Sequence, residues 1–133
     1  MHFKLLMQEY SDIKQMRTEP THIDYGDFVG LLPTSLGFTP SNVDGIAERK
    51  GKFLIMEWKR PNENSSKGQQ YMLQALAAKP DFIVVIIRGD TDNGVNIQNF
   101  YLVQPQGGCI LIGNGWESFK AYYKQWYEWA DGN

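Results

Sequence analysis

Between residues 3 and 17, Leu6, Tyr10, Ile13 and Met16 recur at spacings of three and four, the period of one face of an amphipathic helix. That helix should stop before Pro20. From Pro20 to Asn42, Gly26, Gly30, Pro33, Gly37 and Pro40 punctuate the apolar residues too densely for long regular elements, so a loop is expected, with a short strand around Phe28 to Leu32. Two strand-like runs, VDGIAE and KFLIMEW, meet at Arg49-Lys50-Gly51-Lys52 and read as a β-hairpin. A polar loop from Arg60 to Ser66 leads to a helix from Lys67 to about Ala78, with Met72, Leu73 and Leu76 on its buried side. Phe82 to Arg88 is apolar at alternate and intervening positions alike, as befits a central strand covered on both faces. Strands near Phe100 to Gln104 and Cys109 to Ile112 flank Pro105-Gln106-Gly107-Gly108 as a second hairpin. Asn114 to Glu117 has the form of a capping box, and Phe119, Tyr122, Tyr123, Trp126 and Trp129 then line a closing helix. Such an aromatic row is a core face or a subunit interface, the latter giving a homo-oligomer through this helix.

The order is therefore α-β-β-α-β-β-β-α, an α/β (α+β) chain with no repeat or linker, and 133 residues suit one domain spanning 1–133. A hydrophobic fraction of 42% and a charged fraction of 21% exclude a disordered chain. No apolar run reaches the ~20 residues of a membrane span, and no export signal is recognisable, so a soluble, cytoplasmic protein without membrane contact is expected. The lone Cys109, inside CILI, reads as a buried, inert thiol. His2 and His22 lack partners at metal-ligand spacing and read as surface residues.

Net charge is −2, which does not advertise a nucleic-acid partner, but the charge is uneven. Between positions 49 and 67 stand Arg49, Lys50, Lys52, Lys59, Arg60 and Lys67 against Glu57 and Glu63, a local +4. These six basic residues are candidate phosphate contacts, with Gln70 beside them, or else a solvated face.

The hairpin register follows from its turn. If Lys50-Gly51 is a two-residue turn, Arg49 pairs with Lys52, Glu48 with Phe53, Ile46 with Ile55 and Asp44 with Glu57. A three-residue turn with a glycine bulge would shift the pairing by one and separate the carboxylates. Directly opposed Cβ atoms lie about 4.5 to 5.5 Å apart, where like charges repel, so the first register calls for a cation between Asp44 and Glu57. Lys59 is two residues beyond Glu57 and shares its face. Hard carboxylate oxygens holding Mg²⁺ beside a lysine suit phosphodiester hydrolysis: the cation polarises phosphate and attacking water, and the ammonium meets the developing negative charge.

Asp44, then Glu57-Trp58-Lys59 after a short hairpin, then Ser66-Lys67-Gly68-Gln69 opening a helix, resembles the PD-(D/E)XK nuclease superfamily, and within it the small stand-alone VRR-Nuc-like members, many of them phage-encoded. The similarity covers about Ser41 to Gly89, and Val43 stands where proline commonly precedes the aspartate. The resemblance implies a restriction-endonuclease-like mixed sheet flanked by helices and a DNA-cutting enzyme using Mg²⁺, with Mn²⁺ as substitute. It further implies metal ligation by Asp44, Glu57 and the backbone carbonyl of Trp58, Lys59 at the scissile phosphate, and Gln69 as a helix-borne polar contributor. An acidic residue from the first helix would complete the site, with Glu9 the first candidate and Glu19 the second.

Glu-x-Lys alone is unspecific, since Glu48-Arg49-Lys50 is another copy, placed on the turn rather than in an apolar strand. Other readings stay open. Asp44 before Gly45 suits a turn, and Ser66-x-x-Gln69 suits a capping box in which Gln69 only caps the helix. For the whole chain the alternatives are a nuclease-fold module that binds DNA or protein without cutting, and an unrelated α+β oligomerisation domain.

Overall fold

The computed structural model describes residues 23–132, so the expected first helix, with Glu9, Glu19, His2 and His22, lies outside the described residues. The chain divides into two compact units, Met1–Pro40 and Ser41–Asn133. In the first, the expected strand at Phe28–Leu32 is absent. Among its described residues a 3-10 turn, Gly26–Phe28, is followed by turns and bends, and Gly30 takes a φ of 85°, which breaks any extended run through it.

The second unit is a five-stranded mixed sheet with a helix on each face. Its strands are β1 (Gly45–Arg49), β2 (Lys52–Lys59), β3 (Phe82–Asp90), β4 (Asn96–Val103) and β5 (Cys109–Asn114), and they lie in chain order across the sheet. Helix α1 (Lys67–Ala77) joins β2 to β3, and α2 (Gly115–Asp131) closes the chain. A helical crossover is what makes β2 and β3 parallel, while every other neighbouring pair is an antiparallel hairpin.

The β1–β2 register is the one the two-residue turn requires, with Arg49 opposite Lys52, Glu48 opposite Phe53 and Ile46 opposite Ile55. Lys50 and Gly51 both have positive φ, 52° and 82°, the pair of conformations that matches the twist of a hairpin. A lysine there is strained. Glu48 accepts from Gly51 N–H at 2.9 Å and Lys50 Nζ donates to the Asp131 carbonyl at 2.8 Å, contacts that hold the turn in place.

Alternation in β2 and β3 splits the core into two layers. Leu54, Val85 and Ile87 point to α2, meeting Phe119, Trp126 and Ala130; Ile55 and Val84 point to α1, meeting Leu73. Val84, Val85 and Ile87 are fully enclosed, as the all-apolar run of β3 demands. By the same period of two, Glu57 and Lys59 belong to the α1 face.

Several local expectations are corrected. On α1 only Leu73 is buried, Met72 and Leu76 being half-covered at its flanks. On α2 the aromatic row straddles the boundary: Phe119 and Trp126 are core, whereas Tyr123 and Trp129 are 43% and 42% exposed, because a straight helix rotates the stripe away from a short contact. Asn114 precedes α2 but makes no side-chain cap bond. Cys109 is exposed, not buried, since among the described residues β5 is the edge strand and no helix covers its first three residues.

Candidate active site

Because β2 and β3 run parallel, their C-terminal ends lie together, and the loops that leave them frame a cleft of about 420 Å³. Asp44, Glu57 and Trp58 form one side; Gly89 and Asp90 to Asp92 form the other. A bulge at Arg88/Gly89 re-aims the end of β3. A Cβ on Gly89 would overlap the Asn96 carbonyl oxygen, so only glycine lets the two strands approach there.

Glu57 and Lys59 are 4% and 6% exposed, unusual burial for charged side chains. Gln69, on the first turn of α1, bridges them: its Nε2 donates to Glu57 Oε1 at 2.9 Å, and its Oε1 accepts from Lys59 Nζ at 2.7 Å. Lys59 Nζ is also 3.8 Å from Glu57 Oε1 and 3.8 Å from Glu63 Oε2. The reading in which Gln69 only caps the helix does not hold, because Ser66 is the N-cap and the Gln69 side chain is engaged with Glu57 and Lys59. The Gln69 backbone N–H is capped by Ser66 Oγ at 3.2 Å, and its side chain turns into the site.

Asp44 lies one residue before β1, where the ladder ends at Gly45 opposite Met56. Trp58 carries its N–H and C=O toward that vacated edge, and the N–H donates to Asp44 Oδ2 at 2.8 Å. Asp44 is thereby fixed across from Glu57. Glu57 Oε2 is buried with no hydrogen-bond partner among the described residues. Burial raises the Glu57 pKa, and the neighbouring Asp44 carboxylate, near enough to share a proton, raises it further; Lys59 and Gln69 pull it back, leaving it at about 7.

An orphaned buried carboxylate oxygen beside a second carboxylate fits a small divalent cation. Among the described residues no group of three or more His, Cys, Asp and Glu side chains gathers as a metal cage. The Trp58 carbonyl, water and a substrate oxygen would supply the remaining ligands, a mixture usual for Mg²⁺.

The basic residues divide. Arg60 borders the cleft and is held bidentately by Asp92 at 2.8 and 3.1 Å, which lowers the Asp92 pKa. Lys67 opens α1 and is exposed; Gln70 follows Gln69 and donates to the Ser65 carbonyl. Arg49 and Lys50 instead bind Asp131 at the end of α2, at 2.6 and 3.4 Å. Lys52 is 8% exposed, with its ammonium 5.2 Å from the centre of the Trp129 ring. The structure does not bring these three to the cleft: five to seven residues of strand, roughly 17 to 23 Å, separate Lys52 from Glu57 and Lys59.

Sequence reading missed Glu63, Arg88, Asp90 and Asp92. Arg88 Nη1 reaches the carbonyls of Arg60, Pro61 and Glu63 at 3.2 to 3.3 Å and pins the loop beside the cleft. The available signal was the Arg88-Gly89-Asp90 end of the apolar strand, because loops at the carboxyl ends of parallel strands are where sites form. No protein-family model, curated protein or solved structure matches the chain.

Proposed function

We propose that the chain is a metal-dependent nuclease of the PD-(D/E)XK kind, hydrolysing phosphodiester bonds of DNA. The observation that supports this most is the buried, unpartnered Oε2 of Glu57 beside Asp44, with Oε1 linked through Gln69 to Lys59. Asp44, Glu57 and the Trp58 carbonyl would hold Mg²⁺, or Mn²⁺ in its place. Bound there, the cation supplies Lewis acidity to the scissile phosphate and lowers the pKa of the attacking water.

The protein's own groups do the rest. Lys59, a buried cation joined to Glu57 through Gln69, would meet the charge that develops on the phosphoryl oxygens and orient the water. Gln69 fixes Lys59 and Glu57 relative to each other, and the Trp58 N–H fixes Asp44, so the site is organised before substrate arrives. Asp44 and Glu57 hold two negative charges that need the cation to coexist fully ionised.

The test is incubation of purified protein with labelled linear, circular and branched DNA, with Mg²⁺ or Mn²⁺ and with chelator. Chelator-sensitive cleavage is expected, and its absence on every substrate would overturn the reading. The alternative, a nuclease-fold module that binds DNA or protein without cutting, is supported by the net charge of −2. Binding without cleavage in the same assay would decide for it.

A further inference from the structure

A second cavity, a groove of about 330 Å³, opens between α1 and the β4–β5 hairpin. It lies on the α1 face, the one that carries Glu57 and Lys59, and its floor is Leu73, Ile86 and Val103. Leu73 and Val103 are buried, so the floor is firm and apolar. Segment 60–65 separates the groove from the cleft: Arg60 and Glu63 line the cleft, Asn64 and Ser65 the groove. Arg88, on the groove wall, is opposite Lys59 in the parallel register, about 5 Å away between strands.

The rim is polar and incompletely used. Arg88 makes its three carbonyl contacts through Nη1, and neither Nη2 nor Nε has a hydrogen bond among the described residues. The Gln74 amide likewise has none among them, and it sits beside the Gly107 turn. An apolar floor, an amide that both donates and accepts, and a planar guanidinium match the face and edge of a nucleobase. A base paired in a duplex has its edge engaged and its faces stacked, so only an unpaired base could enter.

We propose that this groove receives an unpaired nucleobase of the strand whose phosphate lies at Lys59, so that single-stranded or frayed DNA is the substrate class. The inference rests on the nuclease reading and deepens it. The groove takes the neighbouring base while the cleft takes the backbone.

Cys109 is the only cysteine and is exposed on the groove rim, so alkylation of its thiol by N-ethylmaleimide reports occupancy. In Ca²⁺, which commonly supports binding without cleavage, a saturating single-stranded oligonucleotide should slow alkylation about tenfold or more, the scale of burying one base face on the apolar floor. A blunt duplex of the same sequence, and a strand of abasic sites, should leave the rate unchanged. Equal protection by the abasic strand, or none by the base-bearing strand, overturns the proposal. Partial burial raises the Cys109 pKa, so the rates are compared at a pH high enough for the free protein to be alkylated. Gln74→Glu places a negative charge on the rim and should weaken single-strand binding about tenfold while sparing duplex binding; unchanged single-strand binding counts against the groove. Protection without Mg²⁺-dependent cleavage would keep the groove and sink the nuclease, and cleavage without protection would do the reverse.

Discussion

Gln69 Nε2 donates to Glu57 Oε1 at 2.9 Å, across the gap between the first turn of α1 and the end of β2. A donor to the ionised carboxylate favours its charge, and the same amide orients Lys59. Gln69→Leu should therefore lower cleavage by about tenfold to a hundredfold, the usual cost of removing a supporting group. It should also move the acid limb of the pH–rate profile to higher pH, because Glu57 loses a group that holds its pKa down. A slower enzyme with an unchanged profile would reduce Gln69 to a packing residue.

Lys59→Ala should cost at least about a hundredfold in cleavage while Mn²⁺ binding, measured by calorimetry, persists. Lysine is not a ligand in this arrangement. Its removal takes one neutralising charge from Glu57, so near-UV circular dichroism and melting must accompany the assay to show that the fold survives. Wild-type cleavage in the folded variant would remove Lys59 from the mechanism.

The carboxylate pair sets a pH dependence of stability in the metal-free protein. Glu57 has a folded pKa near 7, above its unfolded value of 4.5, so between these values the folded state binds the extra proton. Stability then falls as pH rises from about 4.5 to about 7 and levels off above, by an amount on the order of 3 kcal/mol for a buried carboxyl so displaced. Chemical denaturation with chelator at pH 5 and pH 8 measures it. Glu57→Gln should flatten the dependence and added Mg²⁺ should oppose it at pH 8; a metal-free protein more stable at pH 8 than at pH 5 would contradict the arrangement.

The readable parts of this chain were those governed by short periods. Two-residue turn geometry carried the β1–β2 register through to Ile46 opposite Ile55, and the period of two then assigned Glu57 and Lys59 to one face. What sequence could not show was which neighbour each face meets. Cys109 looks buried because its neighbours are apolar, yet among the described residues β5 has no strand beyond it. Arg49, Lys50 and Lys52 looked like part of one basic stretch with Arg60, yet β2 carries them to the opposite end of the sheet, where Asp131 and Trp129 wait. Asp90 and Asp92 join the cleft through the parallel pairing of β2 and β3, a long-range relation of which the chain shows locally only the polar end of an apolar strand.

That division of the basic residues makes the path of DNA testable. Arg60 borders the cleft and Lys67 begins α1, both at the end of the sheet where Glu57 and Lys59 lie. Lys120 and Lys124 are on α2, which packs against the other face, and Lys120 is paired with Glu117 at 2.7 Å. Arg49 and Lys50, held by Asp131, belong with α2 in this respect. Removing one side chain that neutralises a phosphate should reduce the slope of log K against log salt by about 0.9 for a duplex and 0.7 for a single strand. Arg60→Ala/Lys67→Ala should therefore lower the slope by about 1.8 for a duplex and about 1.4 for a single strand in a salt titration of DNA binding in Ca²⁺, while Lys120→Ala/Lys124→Ala and Arg49→Ala/Lys50→Ala leave it near wild type. Arg60 must exchange Asp92 for phosphate, so its share of affinity should be smaller than its share of the slope. If the α2 pair proves the more damaging, the nucleic acid runs over the aromatic helix, and the cleft at Glu57 is not where the backbone lies.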